Sequence, residues 1–244
     1  MWQTFFKICN FLCNFIPGAN RRERVRHDKL YDWAKKYAAL RHACPELKFR
    51  HVKMIKGGWN IGFIVDHKYV FKIRKKFFGD ETQIAKIMRE KRITDAFADV
   101  APVAIPHIKI IKAGEYTFYR YNFIHGRNMN TYTLRTMRKH ITQWGKQVAK
   151  FIYAIHTARP DGIDDLRDRD GDGWNHNDIC NNIIINPKTM KIVGMIDWEY
   201  SGWGMLETEI VNCTRFSRKL RQTDFDKIIR AEYKRLATKA RRKH

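Results

Sequence analysis

The sequence predicts an α+β protein in which a small five-stranded antiparallel sheet with one helix precedes a mainly helical region. Short apolar runs separated by turn residues between about residues 47 and 124 indicate the strands. Helical periodicity dominates after residue 133. The 244 residues, of which 44% are hydrophobic, suffice for one large domain or two small lobes.

The first half of the chain is predicted to contain a helix and then the sheet. Apolar residues at helical spacing over 27–43, ended by Pro45, predict the helix. Turns at Gly57–Asn60 and Asp66–Lys68 separate the first three strands, which together predict a meander. The sheet elements are strands at 49–55, 61–65 and 69–73, a helix at 80–98, and strands at 108–111 and 116–123.

The second half is predicted to be helical apart from two short strands. The helices are expected at 133–157, 205–220 and 224–240, and the strands at 183–186 and 191–196. The whole pattern predicts three parts. They are an N-terminal apolar and basic helical extension at 1–46, a sheet-containing lobe at 47–124, and a mainly helical lobe at 125–244.

The N-terminal extension leaves two interpretations open. Its apolar stretch from Trp2 to Ile16 is shorter than the about 20 residues that a spanning helix needs. Four arginines follow at once, namely Arg21, Arg22, Arg24 and Arg26. An aromatic-rich apolar helix followed by a basic cluster is typical of a segment in a membrane interface. The alternative is a helix that packs on the protein's own core.

Charge and cysteine content limit the possible partners and compartment. Lysine and arginine total 48 against 25 acids, and the formal charge of +23 favours polyanionic partners without choosing among nucleotides, nucleic acid and anionic lipid. No zinc-finger or RNA-binding signature accompanies this charge. A basic nucleic-acid-binding protein is therefore an alternative that the charge supports and no motif supports. The five scattered cysteines show no zinc spacing and predict free thiols in a reducing, cytoplasmic compartment.

Two polar motifs next to apolar runs predict phosphoryl-transfer chemistry. Asp178 and Asn182 precede Ile183-Ile184-Ile185, and Asp197 ends the apolar run Val193–Ile196. An aspartate can accept the proton of an attacking hydroxyl, while amide and carboxylate oxygens are ligands for hard cations. The residues therefore indicate a site where a magnesium-bound triphosphate meets a hydroxyl.

These motifs resemble those of the aminoglycoside phosphotransferase and choline kinase superfamily, the small-molecule branch of the bilobal protein-kinase-like fold. The resemblance covers about residues 50–215. His176-Asn177-Asp178 with Asn182 is similar to the family's catalytic loop, and Ile196-Asp197-Trp198-Glu199 is similar to its metal motif. Asn181 lies three residues after Asp178 and Asn182 four, where the family has its asparagine five residues on. Asn182 fits better because three isoleucines follow it.

The resemblance implies an ATP-dependent kinase that uses Mg²⁺ and phosphorylates a hydroxyl group of a small molecule. It assigns the catalytic base to Asp178 and the metal ligands to Asn182 and Asp197. The residues that it assigns to the nucleotide are Lys72 on the third strand, Glu90 on the following helix, and Gly57, Gly58 and Asn60 in the turn over the phosphates. A catalytically weak nucleotide-binding pseudokinase is the alternative within the same fold.

The acceptor stays open among choline, ethanolamine, a sugar of a surface polysaccharide and an aminoglycoside. Six aspartates between Asp161 and Asp172 could attract a cationic acceptor, or Arg167 and Arg169 could neutralise them. Four aromatic residues near the motifs could form a cage for a quaternary ammonium or could belong to the core. They are Trp174, Trp198, Tyr200 and Trp203.

Overall fold

The computed structural model of the protein describes residues 8, 11–18, 32–56, 60–74 and 80–242. The chain divides into two compact units. Unit 1 consists of Met1–Phe77 and Ile110–Arg120, and unit 2 consists of Phe78–Lys109 and Tyr121–His244. The predicted turn residues Gly57 and Gly58 and the basic cluster from Arg21 to Arg26 lie outside the described residues.

The predicted elements occur in the expected order along the chain, and β6, β7 and β10 are short strands that the sequence did not predict. The helices are α1 (Asp32–Ala43), α2 (Asp80–Ala96), α3 (Leu134–Thr157), α4 (Leu206–Arg215) and α5 (Phe225–Arg241). The strands are β1 (Val52–Lys56), β2 (Asn60–Val65), β3 (Tyr69–Arg74), β4 (Lys109–Ala113), β5 (Tyr116–Asn122), β6 (Arg127–Asn128), β7 (Gly173–Asn175), β8 (Ile183–Ile185), β9 (Ile192–Met195) and β10 (Gly202–Gly204).

Unit 1 is built around the predicted five-stranded sheet, whose strand order is β1-β2-β3-β5-β4. The first three strands form the expected antiparallel meander. Alternate residues of β2 point into one core, because Ile61, Phe63 and Val65 are all buried. Helix α1 covers this face, with the Tyr37 ring 5.9 Å from the Phe63 ring. This helix therefore completes the core of the sheet.

Unit 2 has one hydrophobic core, to which α3 and α5 both contribute buried side chains. Thr133 begins α3 as its N-cap by accepting a hydrogen bond from the Thr136 N–H at 3.2 Å. The buried apolar side chains of α3 recur at helical spacing and belong to the core of unit 2. They are Met137, Trp144, Val148, Phe151, Ile152 and Ile155. Helix α2 adds Ile93 to the same core, and Phe97, directly after the helix, is also part of it.

Two antiparallel strand pairs fix the two motif segments side by side. Strand β7 pairs with β10, so Asn175 lies opposite Gly202. Strand β8 pairs with β9, so Ile183 lies opposite Met195. The segment 176–182 runs from β7 to β8, and the segment 196–201 runs from β9 to β10. The two segments are therefore held together at both of their ends.

The structure confirms the predicted α+β fold and corrects one helix boundary. The sequence predicted a helix over 205–220, whereas α4 ends at Arg215 and a separate 3-10 turn follows at Leu220–Gln222. Ser217 separates them because its hydroxyl bonds to Asn130 Oδ1 at 3.2 Å and accepts from the Leu220 N–H at 3.3 Å. A serine hydroxyl that captures nearby polar groups in this way competes with helix continuation.

The described part of the N-terminal extension exposes most of its apolar side chains. Ile8, Phe11, Leu12 and Phe15 are each more than half exposed, and Cys13 is buried. Among the described residues, no helix is both long enough and apolar enough to span a bilayer. Cys13, Cys44, Cys180 and Cys213 are buried free thiols. The choice between a membrane interface and the protein's own core stays a prediction.

We expect Gly145→Ala to destabilise the protein although alanine favours helices. A Cβ at position 145 would lie 2.7 Å from Ile228 Cγ2, where α3 packs on α5. Overpacking of this kind costs about 1–3 kcal/mol, more than the about 1 kcal/mol gained from helix propensity. Urea unfolding measures the effect, with Thr142→Ala on the exposed face of α3 as the control. Equal stability of Gly145→Ala and wild type would contradict the close packing of these helices.

Candidate active site

The loop that carries Asp178 is shaped by the buried carboxylate of Glu209 on α4. Glu209 Oε1 accepts from the His176 N–H at 2.9 Å, and Oε2 accepts from the Asn177 N–H at 2.7 Å. Asn177 has a φ of 65°, in the left-handed region that asparagine tolerates better than most residues. The chain then turns into the 3-10 segment Ile179–Asn181. Glu209 thus holds the backbone bend that presents Asp178.

The His176 side chain joins the Asp178 loop to the segment that carries Asp197. Its Nδ1 accepts from the Asp178 N–H at 3.3 Å, and its Nε2 lies 3.1 Å from the Ile196 carbonyl oxygen. An imidazole with one accepting and one donating nitrogen is neutral, with the proton on Nε2. The Ile196 N–H donates in turn to the Asn182 carbonyl at 3.1 Å. Asp178, Asn182 and Asp197 therefore belong to one hydrogen-bonded framework.

The Asp178 carboxylate is half-buried and accepts hydrogen bonds from two asparagines. Asn181 Nδ2 donates to Oδ1 at 3.1 Å, and Asn182 Nδ2 donates to Oδ2 at 2.9 Å. Burial raises the pKa of Asp178 above its ordinary value, and the negative charge of Asp197 acts in the same direction. The two asparagine hydrogen bonds oppose that rise. The carboxylate is thus oriented and made more basic than an exposed aspartate.

The hydrogen bonds distinguish the two candidate metal-binding asparagines. Asn181 Oδ1 accepts from Asn130 Nδ2 at 2.9 Å, so this oxygen is already engaged. Asn182 uses Nδ2 for both the Asp178 carbonyl and the Asp178 carboxylate, which turns Oδ1 away from Asp178. Within the described residues, no protein donor hydrogen-bonds to that Oδ1. The geometry favours Asn182 over Asn181 as a source of a ligand oxygen.

Asp197 begins a turn that α2 supports. It has a φ of 65°, and the turn closes where the Ser201 N–H donates to the Trp198 carbonyl at 3.0 Å. Glu90 is 3% exposed, and its Oε1 accepts from the Trp198 N–H at 3.1 Å. Glu90 therefore contacts the backbone directly after Asp197. Its predicted role toward Lys72 stays a prediction.

The remaining nucleotide-binding candidates lie in unit 1. Lys72 is half-buried on β3 opposite Gly62, and its Nζ lies 5.7 Å from the centre of the buried Tyr119 ring. Asn60 begins β2 and is buried. Its Oδ1 accepts no hydrogen bond in the part of the chain described. A buried amide oxygen without a donor is costly, so this atom is suited to receive a donor from a ligand.

The acidic segment before the loop is largely neutralised by basic side chains. Arg92 forms a two-pronged pair with Asp165, at 2.6 and 2.9 Å. Three other acids of the segment have partners: Asp164 pairs with Arg167, Asp168 with Arg89 and Arg169, and Asp172 with His156. These pairs favour the interpretation of a neutralised polar loop over that of an attractor for a cationic acceptor.

The aromatic residues near the motifs do not form an open cage in this structure. Trp174 and Trp198 are 1% exposed and belong to the core. Trp203 contacts two guanidinium groups, those of Arg159 and Arg167, at 4.9 and 4.4 Å from the centre of its ring. Tyr200 is 48% exposed. Three of the four rings are thus already buried or paired with cations of the protein itself.

Sequence reasoning missed Glu209, the central residue of the loop. Its signal was present, because Leu206, Ile210 and Cys213 share one face of α4 with Glu209. An acid on an apolar helical face is rare unless it is hydrogen-bonded. Asn130 was also missed, and it bonds the Cys180 carbonyl at 2.9 Å from a position 50 residues earlier in the chain. No local pattern marks that contact.

The architecture and the site geometry define an α+β protein with the protein-kinase-like fold. The family model described as "Phosphotransferase enzyme family" matches residues 163–244, which include both motif segments. The predicted resemblance to the aminoglycoside phosphotransferase and choline kinase-like family is thereby confirmed. No curated protein sequence matches the chain significantly.

Solved structures of small-molecule phosphotransferases share this fold. The GDP complex of aminoglycoside 2'-phosphotransferase-IIIa superposes with a TM-score of 0.65 at 12% identity over 82% of each chain. The streptomycin-ATP-APH(2'')-IIa ternary complex gives 0.61 at 14% identity over 83% of each chain. Macrolide 2'-phosphotransferase type I gives 0.57 at 15% identity over 83% of this chain and 81% of its own.

We expect Glu209→Gln to change how stability depends on pH. Burial raises the pKa of Glu209 to about 7 from 4.5. An acid whose pKa is raised in the folded state stabilises the protein at pH values below its unfolded-state pKa. That stability is lost as the pH rises through the folded-state pKa. At about 1.4 kcal/mol per pH unit, wild type should lose about 3 kcal/mol between pH 4.5 and 7 relative to Glu209→Gln.

Denaturant unfolding at several pH values measures this difference, and Glu207→Gln on the same helix is the matched control. Glu207 is exposed, and its hydrogen bond to Arg230 lowers its pKa. Its contribution is present above the unfolded pKa and is lost as pH falls, which is the opposite sign. A difference between wild type and Glu209→Gln that does not change with pH would contradict the buried carboxylate.

Proposed function

We propose that the protein is an ATP-dependent phosphotransferase that moves the γ-phosphoryl group to a hydroxyl of a small molecule. The observation that carries this proposal is the framework in unit 2. The His176 imidazole links the backbone of Asp178 to the residue before Asp197, and Asn182 donates to Asp178. A base and two oxygen ligands in one rigid framework are what phosphoryl transfer requires of the protein.

In the proposed reaction the acceptor oxygen attacks the γ-phosphorus while the bond from that phosphorus to the bridging oxygen of ADP breaks. The hydroxyl proton passes to the Asp178 carboxylate. A base contributes about 10²–10⁴ in rate when its pKa approaches the working pH. The raised pKa of Asp178, caused first by burial, is in the right direction for that role.

Asn182 Oδ1 and the Asp197 carboxylate are the proposed ligands for Mg²⁺. Mg²⁺ binds to one or two carboxylates, with phosphate oxygens and waters completing its shell. Across the described ranges, no group of three or more histidine, cysteine and acidic side chains could hold a metal. The donor set therefore suits an ion that arrives with the nucleotide. Bound Mg²⁺ would neutralise charge on the phosphates.

The nucleotide is proposed to involve Lys72, Asn60, Glu90, Gly57 and Gly58. Lys72 carries a positive charge on a half-buried strand, which suits a phosphate partner. Asn60 Oδ1 is a buried acceptor in need of a donor, such as a hydroxyl or amine of the nucleoside. Structurally similar phosphotransferases have been solved in complex with ATP, ADP and GDP, which supports a nucleotide ligand.

The acceptor is proposed to be choline, ethanolamine, a sugar of a surface polysaccharide or an aminoglycoside. Similar folds are described in complex with streptomycin and kanamycin, which supports an aminoglycoside. Two acids of the acidic segment, Asp165 and Asp168, are each paired with an arginine of the protein. The rings of Trp174 and Trp198 are buried. Both observations favour an acceptor recognised through its hydroxyls.

We expect Asp178→Asn to reduce ADP release in the presence of acceptor by about 10²–10⁴. The substitution keeps the shape of the side chain and removes its basicity. Coupled ADP detection across the four acceptor classes measures the effect, and Asp170→Asn at an exposed position is the control. Wild-type turnover by Asp178→Asn would refute the assigned base. Tight ATP binding with no turnover of any acceptor by wild type would favour the pseudokinase alternative.

We also propose that the protein is cytoplasmic and touches the inner face of the membrane through residues 1–26. The exposed Ile8, Phe11, Leu12 and Phe15 supply an apolar surface, and the arginines from Arg21 to Arg26 supply charge. Phe11 and Phe15 also contact each other edge to face, with ring centres 5.5 Å apart.

We expect the protein to sediment with vesicles that contain phosphatidylserine and to bind purely zwitterionic vesicles more weakly, by about tenfold or more. Phe11→Ser combined with Phe15→Ser should reduce the binding because it removes apolar insertion. Phe216→Ser is the control, since Phe216 is an exposed phenylalanine of unit 2. Equal sedimentation of the double variant and wild type would argue against insertion of this segment.

A further inference from the structure

Arg89 connects two segments that flank the candidate active site. Its Nη2 donates to the Ser201 carbonyl at 3.3 Å and to the Leu166 carbonyl at 3.4 Å. The same nitrogen lies 3.2 Å from Asp168 Oδ2. One guanidinium on α2 thus holds both the acidic segment before the Asp178 loop and the turn after Asp197.

The turn after Asp197 is held from three directions. Glu90, the neighbour of Arg89, accepts from the Trp198 N–H at 3.1 Å. Since Arg89 donates to the Ser201 carbonyl, α2 forms hydrogen bonds with both ends of the turn Trp198–Ser201. From the Asp178 loop, Asn177 Nδ2 donates to the Tyr200 carbonyl at 2.9 Å. The left-handed φ of Asp197 is uncommon for a residue with a side chain, although aspartate tolerates it better than most, and these contacts help to hold it.

Gly202 shows how closely the guanidinium and the turn approach each other. A Cβ at position 202 would lie 2.9 Å from Arg89 Nη2 and 3.4 Å from Arg169 Nη2. The backbone directly after the turn therefore packs on the guanidinium, without a side chain between them.

Arg92 provides an internal comparison on the same helix. It also holds the acidic segment, through the Gly162 carbonyl at 2.7 Å and Asp165 at 2.6 Å. None of its described contacts reaches the turn after Asp197. Both arginines therefore hold the acidic segment, and only Arg89 also holds the turn after Asp197.

We propose that Arg89 is a positioning residue for the metal ligand Asp197, acting through the turn Trp198–Ser201. The proposal rests on the phosphotransferase function proposed above. Mg²⁺ demands near-ideal octahedral geometry, so a small displacement of a ligand carboxylate weakens its binding. Groups that orient a ligand without touching the metal change metal affinity about 10–100-fold when they are removed.

Calorimetric titration of ADP at a series of Mg²⁺ concentrations tests this proposal without turnover. For Arg89→Ala we expect the Mg²⁺ concentration at half-maximal ADP affinity to rise about tenfold or more. ADP affinity in the absence of Mg²⁺ should equal that of wild type. Arg92→Ala should leave both quantities unchanged, because it disturbs only the acidic segment.

Gly202→Ala is the second variant, and it disturbs the same contact from the other side. Thermal melting measured in parallel shows which variants fold. If Arg89→Ala does not fold, the titration is done on Gly202→Ala instead. A wild-type Mg²⁺ midpoint in a folded Arg89→Ala, or in Gly202→Ala when it alone folds, overturns the role of Arg89. The same shift in Arg92→Ala overturns it too. Wild-type ADP affinity that does not respond to Mg²⁺ instead overturns the proposed metal function itself.

Discussion

The neutral imidazole of His176 is the connection on which the geometry of the candidate site depends. It accepts from the backbone of Asp178 and donates to the carbonyl of Ile196, the residue before Asp197. The ring is fully buried and packs on Trp198 with ring centres 5.0 Å apart. A hydrogen-bonded ring in a dry core has a single orientation. The β7–β10 and β8–β9 pairs bring the two segments together, and His176 sets their spacing.

Glu209 shows what this arrangement costs the protein. A carboxylate without solvent contact is unfavourable unless nearby donors compensate. Two backbone N–H groups do so here, and they are the ones that a bend at Asn177 would otherwise leave unsatisfied. The unfavourable burial of the Glu209 carboxylate thus stabilises an unusual backbone conformation, and that conformation directs Asp178. Neighbouring thiols add to the apolar character of the region, since Cys180 and Cys213 are both buried.

The sequence predicted most of the fold because strands and helices obey local periodicity. The three-stranded meander and the long helix α3 could be predicted to within a few residues, since both have strong apolar patterns. The end of α4 could not, because Ser217 bonds to Asn130, which is 87 residues away in the chain. The proximity of Asp178 and Asp197 could be predicted only from the resemblance. Glu209 and Arg89 act through backbone groups of distant segments, which local spacing does not encode.

The left-handed backbone at Asp197 has a consequence for how relatives of this protein are interpreted. Asparagine, aspartate and glycine tolerate a φ of 65° at a much smaller cost than other residues. Selection for a stable turn alone would therefore accept aspartate, asparagine or glycine at this position. A related protein without phosphotransferase activity would still be able to retain Asp197 for its backbone conformation alone. Retention of this aspartate in an alignment is thus weak evidence of activity, whereas its replacement by a branched side chain would mark a turn that has been rebuilt.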